Sequence, residues 1–365
     1  MALIRMKTHR VKRGMIIKAD VFNRSGVVLV PKDTVVTSDV LSLLSRHFIE
    51  DVVVEYATEP KPGITTSAEK PKLNLVTPAV QKEIKLKEAS QIYKVAEDTL
   101  SQNLKDIVQK DKEVDIPSLL GLLQSVIDKT DEQLSIFDLL HHMQRNSDTL
   151  YSHSINVSLY AQLLARWANW EKDEIELVSL AGLLHDIGHL HYAETDMEPY
   201  TLHDGMKKAC HEQHSVFGYR ILQNKEIDHR IKQAVLTHHE RFDQSGFPLG
   251  VSYVNINKIS RVLSIADSYV TLITEEDDYP EMLPFEALKY LQEVEHNKYD
   301  YSLLSLFMEH VALNYVQHDV VLSDGRIGTI LMINKNDIAR PLVQIGNFFV
   351  DLSTQTRLSI KKILM

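Results

Sequence analysis

The stretch Leu183-Leu184-His185-Asp186-Ile187-Gly188 decides how the rest of the chain is read. An apolar run that suits a buried helix arrives at a His-Asp pair and then at a glycine, which reads as the helix end. The pair offers one imidazole nitrogen and one carboxylate at a single point. A carboxylate can bridge two divalent ions, and an imidazole can complete the shell of one. Such a dipeptide also occurs by chance in any long chain, so its company matters. Twelve of the 17 histidines fall between His141 and His239, several at helix-like positions on either side of the pair.

Outward from the pair, residues 115–315 read as an almost wholly helical domain. Apolar periodicity predicts helices over 116–127, 136–143, 151–170, 174–185, 212–222, 231–240, 257–273, 285–293 and 301–314. His153, His185, Asp186, His214, His238, His239 and Asp267 stand on these helices or at their ends, with apolar neighbours such as Ile155, Val157, Ile265 and Ala266. Buried carboxylates and imidazoles need partners, and a divalent metal supplies them. A His/Asp set without thiolate disfavours structural zinc. It suits Fe, Mn or another borderline ion with open positions, although Zn accepts similar ligands. With this many donors, two ions fit better than one, and a metal pair about 3.5–4 Å apart can clamp phosphoryl oxygens for in-line attack. Taken singly, each histidine is better read as a satisfied core residue. His141 and His142 read as structural or surface residues, and His191, His203, His211 and His229 as loop or surface, with a position facing the site as the alternative for His191 and His203. Trp167 and Trp170 read as helix packing. Glu240 and Asp243 read as hydrogen-bonding partners of their loop.

The flanks differ in character. Residues 1–58 read as a small α+β module, with strands at Gly26–Val30 and Asp51–Glu55 and a helix start at Thr37-Ser38-Asp39. Residues 59–114 combine a Pro- and Thr-containing linker with an amphipathic helix from about Val80. Its stripe, Ile92, Val95, Leu100, Leu104 and Ile107, serves either a homodimeric coiled coil or packing on its own domain. Residues 316–365 read as a small β appendage: a hairpin around Ser323-Asp324-Gly325, further strands at 341–345 and 348–352, and a surface turn at Ile338-Ala339-Arg340-Pro341. The fold class expected is mainly α, a helical bundle flanked by a small N-terminal α+β module and a small C-terminal β module.

The formal net charge is −10 and no basic block occurs, which argues against a nucleic-acid polymer as partner. A small polyanion remains compatible, because local field matters more than net charge. The single cysteine, Cys210, reads as a small core residue, and its isolation fits a reducing compartment. No apolar run approaches the roughly 18 residues of a membrane helix. Met1 to Met15 lacks the apolar segment of a signal peptide. A cytoplasmic protein with no membrane partner is expected.

The motifs also carry a resemblance. His153-Ser154-Ile155-Asn156-Val157, then His185-Asp186-Ile187-Gly188, resembles the HD superfamily of metal-dependent phosphohydrolases. His238-His239-Glu240-Arg241-Phe242-Asp243-Gln244-Ser245-Gly246-Phe247-Pro248 resembles the HHExxDGxGYP signature of the HD-GYP domain, whose members hydrolyse cyclic di-GMP. His214-Ser215-Val216-Phe217-Gly218-Tyr219 is similar to that family's His-containing helix start, and Arg261 to Asp267 to its helix ending in a metal-binding Asp. The likeness covers roughly residues 130–313. It implies an HD-type bundle and a two-metal phosphodiesterase that opens cyclic di-GMP to pGpG, and onward to GMP, in bacterial second-messenger signalling. It implies His153, His185, Asp186, His214, His238, His239 and Asp267 as metal ligands, with Asp186 bridging. It implies catalysis by His185, Asp186 and His189, and substrate binding by Gly246, Phe247, Pro248 and Arg241. Some members hold a third metal through a Glu four residues before the first His; Thr149 stands there, so two ions are expected.

The departures from the family pattern set the alternatives. His189 stands where the family has a lysine, and it can touch phosphate or protonate a leaving group only when charged. Phe247 replaces the tyrosine of the GYP triplet, Gln244 replaces a glycine, and Val270 stands where a second Asp or a Lys is common. Glu275-Glu276-Asp277-Asp278 replaces a basic stretch, which should weaken binding of a dianion. These changes leave open a receptor that binds a cyclic dinucleotide with little hydrolysis, or a phosphohydrolase for another nucleotide.

Overall fold

A computed structural model describes residues 3–8, 11–22, 28–37, 40–41, 44, 49, 51–55, 78–131, 134–144, 149–193, 204–274, 281–355 and 357–364. The readings made on Gly26-Val27, Ser38-Asp39, the 59–77 linker, His203 and Glu275–Asp278 lie outside the described residues, as do the side chains of Cys210 and His211. The chain divides into two compact units, Met1–Asn74 and Leu75–Met365.

In the first unit, β1 (Leu3–Lys7), β2 (Ile16–Ile17), β5 (Thr34–Val35) and β6 (Asp51–Glu55) form an antiparallel sheet in the order β1-β6-β2-β5. β3 (Val21–Phe22) and β4 (Val28–Val30) pair separately. β6 shows why the segment is a strand: Val52 and Val54 are buried and the residues between them are half-exposed, the period of two that a one-sided sheet requires. Ile17, Val30, Val36 and Leu44 share that core. β1 has mixed apolar and basic character, Leu-Ile-Arg-Met-Lys, and is a strand because it pairs with β6 along its whole length.

The second unit is the helical bundle. Its helices are α1 (Pro78–Gln109), α2 (Ile116–Ile127), α3 (Ile136–Gln144), α4 (Leu150–Trp167), α5 (Lys172–Leu184), α6 (Leu190–Ala193), α7 (Asp204–Leu222), α8 (His229–Thr237), α9 (Lys258–Ile273), α10 (Pro284–Glu293) and α11 (Tyr301–Leu313). α2, α8, α9 and α11 start where Asp115, Asp228, Asn257 and Asp300 accept first-turn backbone N–H groups. α4 and α9 are buried almost all round, so they form the centre of the bundle. At the crossing of α4 and α5 a Cβ on Gly182 would lie 2.6 Å from Ser158 Cα. Glycine there lets the two helices approach until the His153 and His185 rings lie 5.4 Å apart.

Three sequence readings are corrected here. The helix before the His-Asp pair ends at Leu184, and Gly188 lies inside a following 3-10 turn, Ile187–His189, without the left-handed backbone of a glycine cap. The stripe on α1 differs at one residue: Leu100, Leu104 and Ile107 are buried in the unit's own core together with Ala89, Tyr93 and Ala96, whereas Val95 is 61% exposed. Of the two uses open to the stripe, the described residues therefore show packing on its own domain. Ile338 to Pro341 lies within a strand, with Ile338 and Ala339 buried.

The C-terminal strands β7 (Asp319–Leu322), β8 (Ile327–Asn334), β9 (Asp337–Ile345), β10 (Phe348–Asp351) and β11 (Ile360–Leu364) form an antiparallel sheet ordered β10-β9-β8-β7-β11. Val320, Leu322, Ile330, Val343 and Ile360 join the same core as the helices, so the sheet closes one side of the bundle. β11 was not read from the sequence, because Lys361-Lys362 interrupts its apolar pattern and a bulge accommodates the irregularity.

One buried carboxylate ties three parts of this unit together. Asp138 of α3 lies 3.2 Å from Lys82 Nζ of α1 and 3.4 Å from His318 Nε2 before β7. It also accepts the Ser135 backbone N–H. Burial alone would raise its pKa, but His318, Lys82 and Ser135 outweigh burial and hold it at about 2 against an ordinary 3.8. A carboxylate depressed on folding contributes stability that is present above its unfolded pKa and lost as pH falls through the folded one. The window here is about pH 4 to pH 2, and the contribution about 2 kcal/mol. Denaturant unfolding should find Asp138→Asn less stable by that amount at pH 6, with the gap closing towards pH 2. Equal stability at pH 6 would refute it.

Candidate metal centre

The seven His and Asp side chains singled out in the sequence come together at one end of α4 and α5. They fall into two groups whose donor atoms lie within 4.8 Å of one another: Asp186, His214, His238 and His239, and His153, His185 and Asp267. His153 comes from the first turn of α4, His214 from α7, the doublet from the end of α8, and Asp267 from the middle of α9. Asp186 follows the end of α5 with φ −100° and ψ 9°, the sparsely populated bridge region.

Asp186 faces both groups. Its Oδ1 lies 3.2 Å from His214 Nε2 and 3.8 Å from His238 Nε2, and its Oδ2 lies 3.1 Å from His185 Nε2 and 3.7 Å from His153 Nε2. Asp267 Oδ1 sits 3.1 Å from His153 Nε2, and its Oδ2 3.7 Å from His239 Nδ1. Backbone carbonyls set the ring orientations. His185 Nδ1–H donates to Gly182 O at 2.8 Å, and His238 Nδ1–H to Val235 O at 2.8 Å. Each thereby turns its Nε2 to the centre, the orientation that suits a metal-ligating imidazole.

These residues fit divalent cations on two further observations. His185 Nε2 is buried and, although 3.1 Å from Asp186 Oδ2, makes no well-aligned hydrogen bond. His214 Nε2 and His238 Nε2 face one another at 3.1 Å. The electrostatics agree. Burial would raise the pKa of Asp186, but His185, His214 and His189 outweigh it and draw the carboxyl well below its usual range. Asp267 is lowered likewise by His153, His239 and His185. Burial, then neighbouring imidazoles, push His238 and His239 well below the usual histidine range, so both are neutral donors. Burial would lower the pKa of His185, but Asp186 and Asp267 outweigh it and raise it to about 9, so its Nε2 attracts a cation or a proton. Two carboxylates with the neutral His238 and His239 make a donor set that wants cations.

Glycines govern how closely the supporting elements approach. A Cβ on Gly188 would lie 1.8 Å from the His214 carbonyl oxygen and 2.6 Å from Gly218 N, so the 3-10 turn after Asp186 rests directly on the backbone of α7. A Cβ on Gly246 would meet His239 O at 2.3 Å. Gly218 is a partner that the sequence reading missed. Small residues in two separated motifs were the visible signal.

The segment after the doublet is held from within. Glu240, buried, accepts the N–H groups of Leu249, Gly250 and Val251 at 2.6, 3.2 and 3.0 Å. Asp243 accepts from Ser245 N and Oγ. Phe247 lays its ring 4.5 Å from His239, beside Gly246 and Pro248. Arg241, read as a substrate contact, directs its guanidinium at the His238 and Glu240 carbonyls and Ser268 Oγ, and lies over the Tyr299 ring. Its observed contacts therefore hold the doublet's backbone against α9. His189, half-exposed at the rim, stacks on His214 at 4.2 Å and comes to 3.8 Å from Asp186 Oδ1. His191, expected in a loop or on the surface, lies in α6 and stacks on Phe217 at 4.3 Å. Thr149 caps α4.

Gln244 has φ +66°, in the left-handed region where a side chain is strained. Gln244→Gly should raise thermal stability by up to about 1 kcal/mol; a lower melting temperature would contradict this.

A cleft of about 670 Å³ between α2 and the opposite ends of α4 and α5, lined by Leu120, Gln162, Arg166, Trp170 and Ile175 among others, shares no residue with the centre.

Residues 136–303 match the family model described as HD domain. Among curated proteins, the chain is 25% identical over 208 residues to the cyclic di-GMP phosphodiesterase PA4108 of Pseudomonas aeruginosa, covering 56% of this chain and 50% of that protein. It is 31% identical over 144 residues to the 3'3'-cGAMP-specific phosphodiesterase 1 of Vibrio cholerae, covering 39% of this chain and 33% of the relative. The matches thus span half or less of these relatives. Among solved structures, Bd1817, an HDG"Y"P protein from Bdellovibrio bacteriovorus, aligns with a TM-score of 0.47 at 16% identity, over 84% of this chain and 98% of that one. Among the described residues no helix is long and apolar enough to cross a membrane.

Proposed function

We propose that this chain is a metal-dependent phosphodiesterase that hydrolyses a cyclic dinucleotide, cyclic di-GMP first, to the linear pGpG and onward to GMP. The observation that carries the reading is the pair of donor groups sharing Asp186, with an oxygen turned to each. The names of the relatives support the substrate class. Two divalent ions, Fe or Mn first by the donor chemistry and Zn as the alternative, would be the cofactors: His153, His185 and Asp267 would hold one, His214, His238 and His239 the other, and Asp186 would serve both. When bound, such ions supply Lewis-acid stabilisation of charge on phosphoryl oxygens.

The chain's own residues do the rest. Gly182 and Val235 carbonyls keep the His185 and His238 Nε2 atoms aimed inward. The apolar surroundings of α4 and α9 exclude water behind the ligands, which strengthens every charge interaction at the centre. His189 at the rim is the residue we assign to contact phosphate or give a proton to the departing ribose oxygen, a role that needs its charged form. Gly246, Phe247 and Pro248 form the substrate wall beside His239, with Phe247 offering a ring face. Arg241 acts through the loop it holds.

The test is product chromatography on anaerobically purified protein loaded with Fe(II) or Mn(II) and given cyclic di-GMP or 3'3'-cGAMP. Appearance of the linear dinucleotide, absent in a His185→Ala/Asp186→Ala double variant, is expected. A folded, metal-loaded chain that turns over neither substrate would refute the proposal.

A further inference from the structure

Glu97 is a charged residue in the middle of α1, yet it is 2% exposed. Its carboxylate accepts a hydrogen bond from the Thr149 hydroxyl at the start of α4. Thr149 in turn accepts the Ser152 backbone N–H at 3.0 Å and donates its own N–H to Ser152 Oγ at 2.9 Å. One turn earlier on α1, fully buried Tyr93 sets its hydroxyl 2.7 Å from Asn156 Oδ1 and 3.0 Å from the Ser152 carbonyl. Burial, then the Glu97 charge, keeps this phenol protonated and so a donor. Two residues of α1 therefore grip α4 at positions 149, 152 and 156, on both sides of His153.

α1 does not need these contacts to stay on the domain, since Ala96, Leu100, Leu104 and Ile107 already bury an apolar stripe. An apolar stripe tolerates sliding. Lys94 of the same helix pairs with Glu97 Oε2 at 3.2 Å and would travel with it, but the Oε1 contact to Thr149 and the buried Tyr93 hydroxyl have their partners on α4, and breaking those contacts in the interior is costly. The polar contacts select one register of α1 on α4, and the first turn of α4 carries His153.

We infer that Tyr93 and Glu97 are positioning residues for His153, and that through them a shift of α1 is felt by the His153, His185 and Asp267 group before the Asp186, His214, His238 and His239 group. This rests on the metal-binding part of the function proposed above. It gives α1 a regulatory use: the helix that precedes the region matching the HD model can tune one ion of the pair.

The test is Mn(II) binding by calorimetry on the full chain, with no substrate, so that it is independent of turnover. Tyr93→Phe and Glu97→Ala should each weaken one of two binding steps about tenfold, the lower end for residues that support metal ligands, and leave the other within about twofold. Glu97→Gln, whose amide oxygen can still accept from Thr149, should restore most of the loss. Leu100→Ala, a packing change on the same helix, should lower the melting temperature and leave both steps alone. If Glu97→Ala does not fold, Tyr93→Phe, which removes one oxygen, decides. Unchanged isotherms in both variants, equal weakening of both steps, or the same pattern in Leu100→Ala would overturn the inference. A wild type that binds a single ion would refute the two-ion reading, and the inference would then require that ion to weaken in Tyr93→Phe and to vanish in His153→Ala. A wild type that binds none overturns both.

Discussion

Asp186→Asn should reduce hydrolysis of cyclic di-GMP by about a thousandfold or more and leave at most one divalent ion bound. The two carboxylate oxygens have separate duties, Oδ1 beside His214 and His238, Oδ2 beside His185 and His153. An asparagine of the same shape keeps one oxygen and turns an amide N–H₂ towards imidazoles whose Nε2 atoms point inward. One group loses its anionic ligand, and nothing spans the two. Several kcal/mol of charge stabilisation at phosphorus then disappear, and about 4 kcal/mol corresponds to a thousandfold in rate. The variant should also lose some stability, because Asp186 is paired with His185 and His214, so its melting temperature is measured on the same preparation. Metal analysis and product chromatography on the same preparation check both halves. A variant with two bound ions and more than a tenth of wild-type turnover would refute the shared role of Asp186.

Gly188→Ala should cost about 3 kcal/mol or more of stability and strip the ion from the His214 group. The added methyl would sit 1.8 Å from the His214 carbonyl oxygen and 2.6 Å from Gly218 N, and both are backbone atoms inside α7. No side-chain rotation relieves that contact, so α7 must move away from the 3-10 turn and take His214 with it. Gly121→Ala on α2 is the matched control. Its Cβ would meet nothing within 4 Å, so the change should stabilise that helix by about 0.5–1 kcal/mol. Thermal unfolding and metal content of both variants test the pair. A Gly188→Ala protein that melts with wild type and keeps its metal would mean that the close approach is not required.

Much of this was legible before any coordinates. The period of apolar residues is local, and it located most helices of the bundle to within about three residues; α7, expected over 212–222, begins at Asp204, and α6 (Leu190–Ala193) has too short a period to be read. Ligand chemistry is also local, since an imidazole or a carboxylate announces itself wherever it stands, and seven such residues in apolar surroundings identified the centre. Where the local pattern was ambiguous, the reading slipped. On α1 the stripe holds at Leu100, Leu104 and Ile107 and fails at Val95, which is as apolar as its neighbours although it points to solvent, while Tyr93 points in. β11 was missed because a lysine pair hides its apolar partners Ile360 and Ile363. Gly188 was taken for a helix cap, whereas its smallness is needed by a helix that begins 16 residues later.

The sequence by itself therefore determined the mainly helical class, the HD-like motifs and the set of candidate donor residues, all of which depend on residue type and short-range period. Only the tertiary structure decided which oxygen of Asp186 faces which histidines, that Arg241 is turned to the backbone of its own loop, and that Thr149 answers to Glu97 on α1. Those facts depend on how closely α4, α5 and α7 can approach. That distance is set by absent side chains at Gly182, Gly188 and Gly218, meeting residues far away in the chain.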